Sequence, residues 1–501
     1  MKALLDTNII IHRETDSIMN QDIGILFRWL DRGGYTKCIH PLTITEIEKY
    51  KDEKVVSTFL TKIDSYEKIL FASPMQEEVA IVSNKVDKGE NDTTDSTLLN
   101  EVFIGRVDIF ISEDKKIHKK AQMLGIGDKV FTIDSFLEKS YSENPSLVNY
   151  KVLNVSKKYF AEINLNDPFF DTLRKDYTGF DKWFIKKSDE IAYVTQNTKN
   201  NFLLSFLYLK VEGKNEVYKD ISPAFSPKKR LKVGTFKVIS NGVRLGERFM
   251  KIIFDNALTF QVEEIYVTIF SHRHEQRRLI ELLEQWGFVF WGFKGHERIY
   301  FRLFTPTFDL KNLKGNYPYI SRKQPAYIVP IYESYHTSLL PDSILNNESP
   351  MDFIEDFPHR NGINKVYVSR AIKPHPKSGD LLIFYRTGGV YKSVVTTIGI
   401  VEDVIYNIQD EFEFLSLCRK GSVYPESELK DMWNQKEKPK PFVIKFLYVY
   451  SFPHRINMKT LIDLKILVDV NDAPRGFKPI STAQFNLILK ETKSDESFIV
   501  D

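Results

Sequence analysis

Apolar positions in this chain follow three different rhythms. Over the first 140 residues, short apolar runs alternate with stretches at helical spacing: "KALLD", "KCIHPLTITEIEKYK", "GENDTTDSTLLNEVF" and "VDIFISEDKKIHKKA". Strands alternating with helices predict a parallel, doubly wound α/β sheet. In the middle, "EIAYVTQN", "NFLLSFLYLKVE", "KKRLKVGTFKVIS" and "VEEIYVTIF" read as strands. "GVRLGERFMKIIFDNA" and "HEQRRLIELLEQW" read as amphipathic helices, and "GFVFWGFKGHERIYFRLF" as a hairpin, which is mixed α+β. The last region is β-rich. "INKVYVSRA", "GDLLIFYRTG", "SVVTTIGIVEDVI", "KPFVIKFLYVYSF" and "IDLKILVDV" read as strands of a small barrel or sandwich. A closing helix, "PISTAQFNLILK", takes Ser481 or Thr482 as its cap. The predicted architecture is multidomain, α/β plus α+β plus β-rich, over residues 1–140, 141–306 and 315–501.

Composition narrows this picture a little. A chain of 501 residues exceeds one ordinary domain. Its formal charge of +3 carries no global nucleic-acid signature, so any basic surface is local. Two cysteines, Cys38 and Cys418, exclude a disulfide framework and fit a reducing, cytoplasmic setting. No apolar run approaches the roughly 20 residues of a membrane span.

Candidate chemistry begins with four acids. Asp6 follows the first strand, and Glu46 lies on the helix after Pro41, where Thr43 or Thr45 is the expected N-cap. Asp95 falls in the first turn of a later helix, and Asp114 stands just past an apolar strand. Functional crevices of parallel sheets lie outside the carboxyl ends of the strands, so these acids converge there. Carboxylates sharing a pocket raise one another's pKa unless a cation neutralises them, and Mg²⁺ or Mn²⁺ suits such oxygen ligands. Asp92 and Glu113 are neighbouring acids that compete for two of the places. On "LLDTNIII", "TEIEKYK", "DSTLLNEV" and "FISEDKKIHKKA", the region resembles the PIN-domain ribonucleases. The resemblance implies metal-dependent RNA cleavage by Asp6, Glu46, Asp95 and Asp114, with Asn8 and Ser112 orienting the acids.

In the middle region, a strand ends at Gly242 and a helix begins near Glu247. The stretch Val243, Arg244, Leu245, Gly246, Glu247 and Arg248 offers backbone N–H groups and a helix dipole to a pyrophosphate, and Arg244 offers a charge. With "LKVGTFKV", "EEIYVTIF" and "LIELLEQWGFVFWGFKGHERIYF", residues from about 150 to 306 resemble a GNAT-type acetyltransferase. The resemblance implies acetyl-coenzyme A, its pyrophosphate on this loop and its thioester against "EIYVTIF". Leu283 stands where that family often has a proton-donating Tyr, and Gln276 where it often has Asn. Tyr300, His272 and His274 are the substitutes on offer.

In the last region, "PHPKSGDLLIFYRT" and "VVTTIGIVEDV" resemble the PUA-like superfamily with its ASCH and EVE branches. That implies binding of RNA or a modified base. Arg360, Arg370, Lys373, His375, Lys377 and Arg386 are the expected phosphate contacts, and Tyr385 the expected stacking ring. Together the three resemblances imply an RNA-directed protein, with tRNA among the candidate substrates and a nucleobase, aminoacyl or protein amine as acetyl acceptor. They also imply a setting in toxin–antitoxin or phage-defence systems, with an antitoxin or a second copy as partner. The alternative is a regulatory nuclease whose GNAT region senses acetyl-coenzyme A without turnover.

Overall fold

The computed structural model describes residues 1–14, 21–49, 53–143, 155–197, 200–239, 244–343, 362–372, 376–388, 392–419 and 421–500. The chain forms two compact units. The first is Met1–Leu147 with Ile239–Gly242, and the second is Val148–Val238 with Val243–Asp501.

The first unit is built on five strands: β1 (Lys2–Leu5), β2 (Thr36–Ile39), β3 (Glu67–Lys68), β4 (Ile109–Ile111) and β5 (Val130–Phe131). They lie in the order β3-β2-β1-β4-β5 and every pairing is parallel. This is the expected α/β sheet. Helices α1 (Thr7–Glu14), α2 (Gln21–Arg32), α3 (Pro41–Glu48), α4 (Glu53–Lys62), α5 (Glu77–Val86), α6 (Glu90–Phe103), α7 (Lys115–Met123) and α8 (Ile133–Glu143) connect them. A core of Leu4, Cys38, Leu98, Val102, Phe110 and Ile117 joins the strands to α6 and α7.

Two local expectations are corrected. The α3 cap is neither Thr43 nor Thr45. His40 caps the helix, its Nδ1 accepting from Leu42 N at 3.2 Å, and Pro41 takes the first helical position. There the missing N–H costs nothing. Helix α6 starts at Glu90, so Asp95 lies beyond its first turn.

The second unit holds two larger sheets. Eight strands form the first: β6 (Ser156–Tyr159), β7 (Ile191–Gln196), β8 (Leu203–Glu212), β9 (Ile221–Ser222), β10 (Arg230–Val238), β11 (Glu264–Ile269), β12 (Val289–Lys294) and β13 (Glu297–Leu303). Their order is β6-β7-β8-β10-β11-β13-β12-β9. Helices α9 (Asp171–Asp176), α10 (Phe180–Ile185), α11 (Leu245–Thr259) and α12 (His274–Gln285) accompany them. Asp167 caps the turn at Pro168 as expected, accepting from Phe169 N at 2.8 Å.

After α13 (Leu313–Asn316), the chain adds β14 (Ile320–Ser321), β15 (Ala326–Ile331), α14 (Glu333–Leu339), β16 (Asn364–Ser369), β17 (Leu381–Arg386), β18 (Val394–Ile405), β19 (Phe442–Ser451), β20 (Lys478–Ile480) and β21 (Ile499–Val500). Six of these strands make a sheet in the order β16-β19-β18-β17-β15-β20, with β15 and β17 parallel. Ser481 is the cap of the closing helix, Thr482–Glu491, and reciprocates with Gln484. "IDLKILVDV" is not a strand: the helix Met458–Asp463 takes its first residues, and Ile466 and Leu467 enter the core from the irregular stretch that follows. One continuous core runs from Phe254 and Trp286 through Tyr317 to Leu381 and Phe485, so the middle and last regions pack as one unit.

Candidate functional site

The first site is the carboxyl edge of the parallel sheet. Asp6 follows β1 directly, and its backbone N–H donates to Ile111 O at the end of β4. Ser112, the next residue after β4, donates through Oγ to Asp6 Oδ2 at 2.6 Å and accepts from Asp114 N at 3.1 Å. Glu46 accepts from Thr7 Oγ1. Asp114 caps α7, accepting from Lys116 N and Ile117 N. Burial pushes the Asp6 carboxyl up, the Ser112 and Asn8 hydrogen bonds pull it down, and Asp114 and Glu46 push it up again. Asp95 is pushed up to about 7, by burial first and then by Asp6, with Asp114 and Glu46 adding to it and Lys120 opposing. Asp6 and Asp95 thus each feel the charges of Asp114 and Glu46. Among the described residues no hydrogen-bond donor meets the Asp95 carboxylate, and no three His, Cys, Asp or Glu side chains are gathered closely enough to hold a metal.

The competing acids have other tasks. Asp92 is bound by Lys116 Nζ at 2.7 and 3.0 Å, and its main-chain carbonyl by Lys120 Nζ at 2.8 Å. Glu113 accepts from Ile133 N at 2.7 Å and so fixes the start of α8. Each is spoken for by a group that tertiary packing brings in.

The second site lies where β10 and β11 part. The two strands pair in parallel from Arg230↔Glu264 to Val233↔Val267 and no further. β10 continues to Val238 along β8, with a bulge between Val233 and Thr235. Gly234 fills that bulge, where a Cβ would lie 2.5 Å from the Tyr208 ring. A bulge redirects a strand and strengthens its twist. Past Val233, each strand thus turns an unpaired edge toward the other.

The face of this parting opposite α11 carries a polar network that sequence reasoning missed. Asp176, at the end of α9, accepts from Arg273 Nε and Nη2, from Gln276 Nε2 at 2.8 Å and from His272 Nε2 at 3.2 Å. Burial works to raise the Asp176 pKa, but Arg273 and His272 hold it below the usual range. Tyr177 donates to Glu297 Oε1 at 2.8 Å and packs on Phe270. Lys237 Nζ donates to Phe169 O and to Thr172 Oγ1, the latter at 2.7 Å. In the sequence, Lys237 is one more lysine in a strand, and nothing local marks it.

Of the substitutes for the missing tyrosine, His272 belongs to this network and Tyr300 does not. Leu283 is completely buried in the core, and the Tyr300 ring is buried against Phe290. His272 is tied to Asp176.

At the start of α11, Arg244 has a left-handed backbone with φ 55° and gives the helix no side-chain cap. The N–H groups of Leu245, Gly246 and Glu247 stand in the first turn, where no intrahelical carbonyl reaches them. The side chains around them face elsewhere. Arg244 binds Glu247 and donates through Nη1 to Asn364 O at 3.0 Å. Glu247 Oε2 accepts from Ile363 N, Asn364 N and Asn364 Nδ2. Arg248 forms a two-pronged pair with Asp342 at 2.6 and 2.8 Å. The Arg244 side chain, expected to offer its charge to an anion, is thus engaged by Glu247 and Asn364. Val243 lies outside the described residues.

Among the described residues, the nucleic-acid contacts expected in the last region divide between exposed and buried positions. Arg360, Lys373 and His375 lie outside the described residues. Lys377 is exposed, and Arg370 donates to Gln435 Oε1. Tyr385 is 1% exposed, so its ring has no open face for a base. Arg386 is equally buried, between Glu333 and Lys392 O. These two residues follow the strand β17, whose positions are buried on both faces.

No family model matches this sequence, and no curated protein does. Several solved structures are similar to parts of it. One is the NatC complex bound to Gag peptide and CoA, at 14% identity over 30% of this chain and 96% of that one, with a TM-score of 0.20. Another is Arabidopsis thaliana NAA60 in complex with acetyl-CoA, at 12% identity over 30% and 97%, with a TM-score of 0.21. A third is human THYN1 protein in complex with 5-methylcytosine containing DNA, at 11% identity over 34% and 99%, also with a TM-score of 0.21. Among the described residues, no helix is long and apolar enough to cross a membrane.

Proposed function

We propose that the second unit is an acetyl-coenzyme A-dependent acetyltransferase of GNAT type. The observation that carries this reading is the parting of the parallel strands β10 and β11, followed at once by the uncapped start of α11. A parted parallel pair offers main-chain groups to a thioester arm, and a helix start offers N–H donors to a pyrophosphate. Leu245, Gly246 and Glu247 supply those amides. The network of Asp176, Arg273 and His272 orients the acceptor side. With Leu283 and Tyr300 buried, the reaction rests on positioning of amine and thioester rather than on a dedicated acid. The last region is proposed to bring nucleic acid to the protein, with RNA, tRNA included, as the partner class.

We further propose that the first unit is a metal-dependent ribonuclease using Asp6, Glu46, Asp95 and Asp114. Among the described residues no three of these side chains are gathered closely enough to hold a metal; what supports the reading is the raised Asp6 and Asp95 carboxyls, a cost that a divalent ion on oxygen ligands would remove. Mg²⁺ or Mn²⁺ bound there would supply an activated water and charge stabilisation for phosphodiester hydrolysis. Ser112 holds Asp6 and the main chain of Asp114 in place for that role. A toxin–antitoxin or defence setting, with an antitoxin or second copy as partner, accords with paired RNA-cutting and acetylating activities.

A second reading keeps binding and removes turnover. It is favoured by the buried Leu283 and Tyr300, which leave the acetyl site without a tyrosine donor. Two assays separate the readings. Acetyl-coenzyme A should raise the thermal midpoint of the chain by mass action, and no shift would remove the cofactor from the account. Mass spectrometry of total tRNA and of protein extract after incubation reads transfer, and stabilisation without transfer supports the sensor. RNA cleavage with Mn²⁺ should be lost in Asp6→Asn, and cleavage that persists would overturn the four-acid assignment.

A further inference from the structure

We propose that Lys237 is an internal acetyl acceptor: its Nζ takes the acetyl group from the thioester held between β10 and β11. The inference rests on the acetyltransferase reading above and adds a modification site to it.

Lys237 lies on the segment of β10 beyond the last pairing with β11, where the strands have parted. Its neighbour Phe236 packs on Phe249 of α11, with ring centres 5.5 Å apart. Strand alternation therefore turns Lys237 to the opposite face, and Nζ is found there, 4.5 Å from the centre of the Phe169 ring. Asp176 and Arg273 of the polar network lie near enough to act on the Lys237 charge.

The partners of Nζ are what distinguish this lysine. It donates to a main-chain carbonyl and a hydroxyl, Phe169 O and Thr172 Oγ1, and among the described residues no carboxylate stands within 4.0 Å of it. Buried lysines are normally held by an acid. Neutral acceptors do not stabilise the ammonium as a carboxylate would, and burial favours the free amine. Burial lowers the Lys237 pKa to about 8, against the pull of Glu275, Asp171 and Asp176 and with the help of Arg273. The amine needed for attack is thus present near neutral pH. Acetylation also leaves the surroundings satisfied. An acetylated Nζ keeps one N–H for Phe169 O or Thr172 Oγ1, and no carboxylate loses its counter-charge.

In the step itself, the Nζ lone pair attacks the thioester carbonyl carbon. The new C–N bond forms, the C–S bond breaks, and coenzyme A leaves as thiolate. The proton shed by nitrogen returns to that thiolate through solvent.

The test incubates the full chain with acetyl-coenzyme A and maps acetyl-lysine by peptide mass spectrometry. Acetyl should accumulate on the Lys237 peptide well ahead of the exposed Lys377, and faster as pH rises through about 8. It should vanish from that peptide when the chain is denatured first, and in Lys237→Arg. Coenzyme A should stabilise Lys237→Arg as it does the parent chain, which shows the fold and pocket intact. If coenzyme A stabilises the parent chain yet Lys237 is acetylated no faster than Lys377, the acceptor assignment is wrong. If coenzyme A and acetyl-coenzyme A both fail to stabilise it, the acetyltransferase reading falls and takes this inference with it.

Discussion

At the carboxyl edge of the first sheet, burial and neighbouring acids raise the Asp6 and Asp95 carboxyls, and Lys120, which opposes this at Asp95, is bound to Asp87. At the mouth of β10 and β11, Asp176 instead meets Arg273, His272 and Gln276, and Glu297 meets Tyr177. Deeper in that second unit, Glu264 meets Arg230 and Lys228. The contrast separates two uses of charge. Paired groups fix geometry and stabilise the fold on their own. Acids that share a buried edge without a cationic partner instead cost folding energy, which shows in the raised Asp6 and Asp95 carboxyls.

The largest effect should come from breaking a completed pair. Arg230 is 1% exposed, and Glu264→Ala would leave its guanidinium buried beside Phe225 without a carboxylate. Denaturant unfolding of the second unit should lose about 3–5 kcal/mol. A smaller loss than about 1 kcal/mol would mean that the pair is not held as described. Next, Leu283→Tyr inserts the missing phenol into a fully buried position. It should destabilise by about 1–3 kcal/mol through overpacking, and acetyl transfer should not improve. A gain in transfer would instead show that the site lacks only this donor.

The acid cluster should respond in the opposite direction. Asp95 has a folded pKa near 7, above its ordinary carboxylate value, so the folded state holds the proton more tightly than the unfolded one. Stability in chelator should therefore fall as pH rises from about 4 to about 7 and stay low above that. Asp6, also raised, adds to the same slope. Asp95→Asn should flatten the profile in thermal melts, and Mn²⁺ should flatten it for the parent chain. A profile that rises with pH would contradict the cluster. Ser112→Ala removes one hydrogen bond to a charged, buried carboxylate and should cost about 1.5–3 kcal/mol. The smallest effect is expected at Ser481→Ala, where losing the cap of the closing helix costs about 1 kcal/mol.

Much of this was legible in local signals. Apolar runs followed by an acid placed Asp6 and Asp114 correctly at strand ends, and alternation located β10, β11 and the β12–β13 hairpin. Misreadings followed where local signals were ambiguous. "IDLKILVDV" has the residues of a strand, but its apolar side chains reach the core from a helix and an irregular turn. Tyr385 and Arg386 looked like surface chemistry because aromatic and basic residues share that use, and burial of β17 on both faces removed it.

Periodicity and turn residues act over a few positions, so the chain alone settled the element types, the parallel α/β character of the first region and the strand-end acids. Choices between equivalent residues needed the fold. Asp92 and Asp95 are alike in sequence until Lys116, from another helix, pairs with one of them. Arg244 reads as a charged phosphate contact until Asn364, 120 positions away, accepts from its side chain. Lys237 is ordinary until Phe169 and Thr172, 68 and 65 positions earlier, supply neutral oxygens in place of an acid. Compensation of a charge depends on contacts distant in the chain, and only the folded packing decides them.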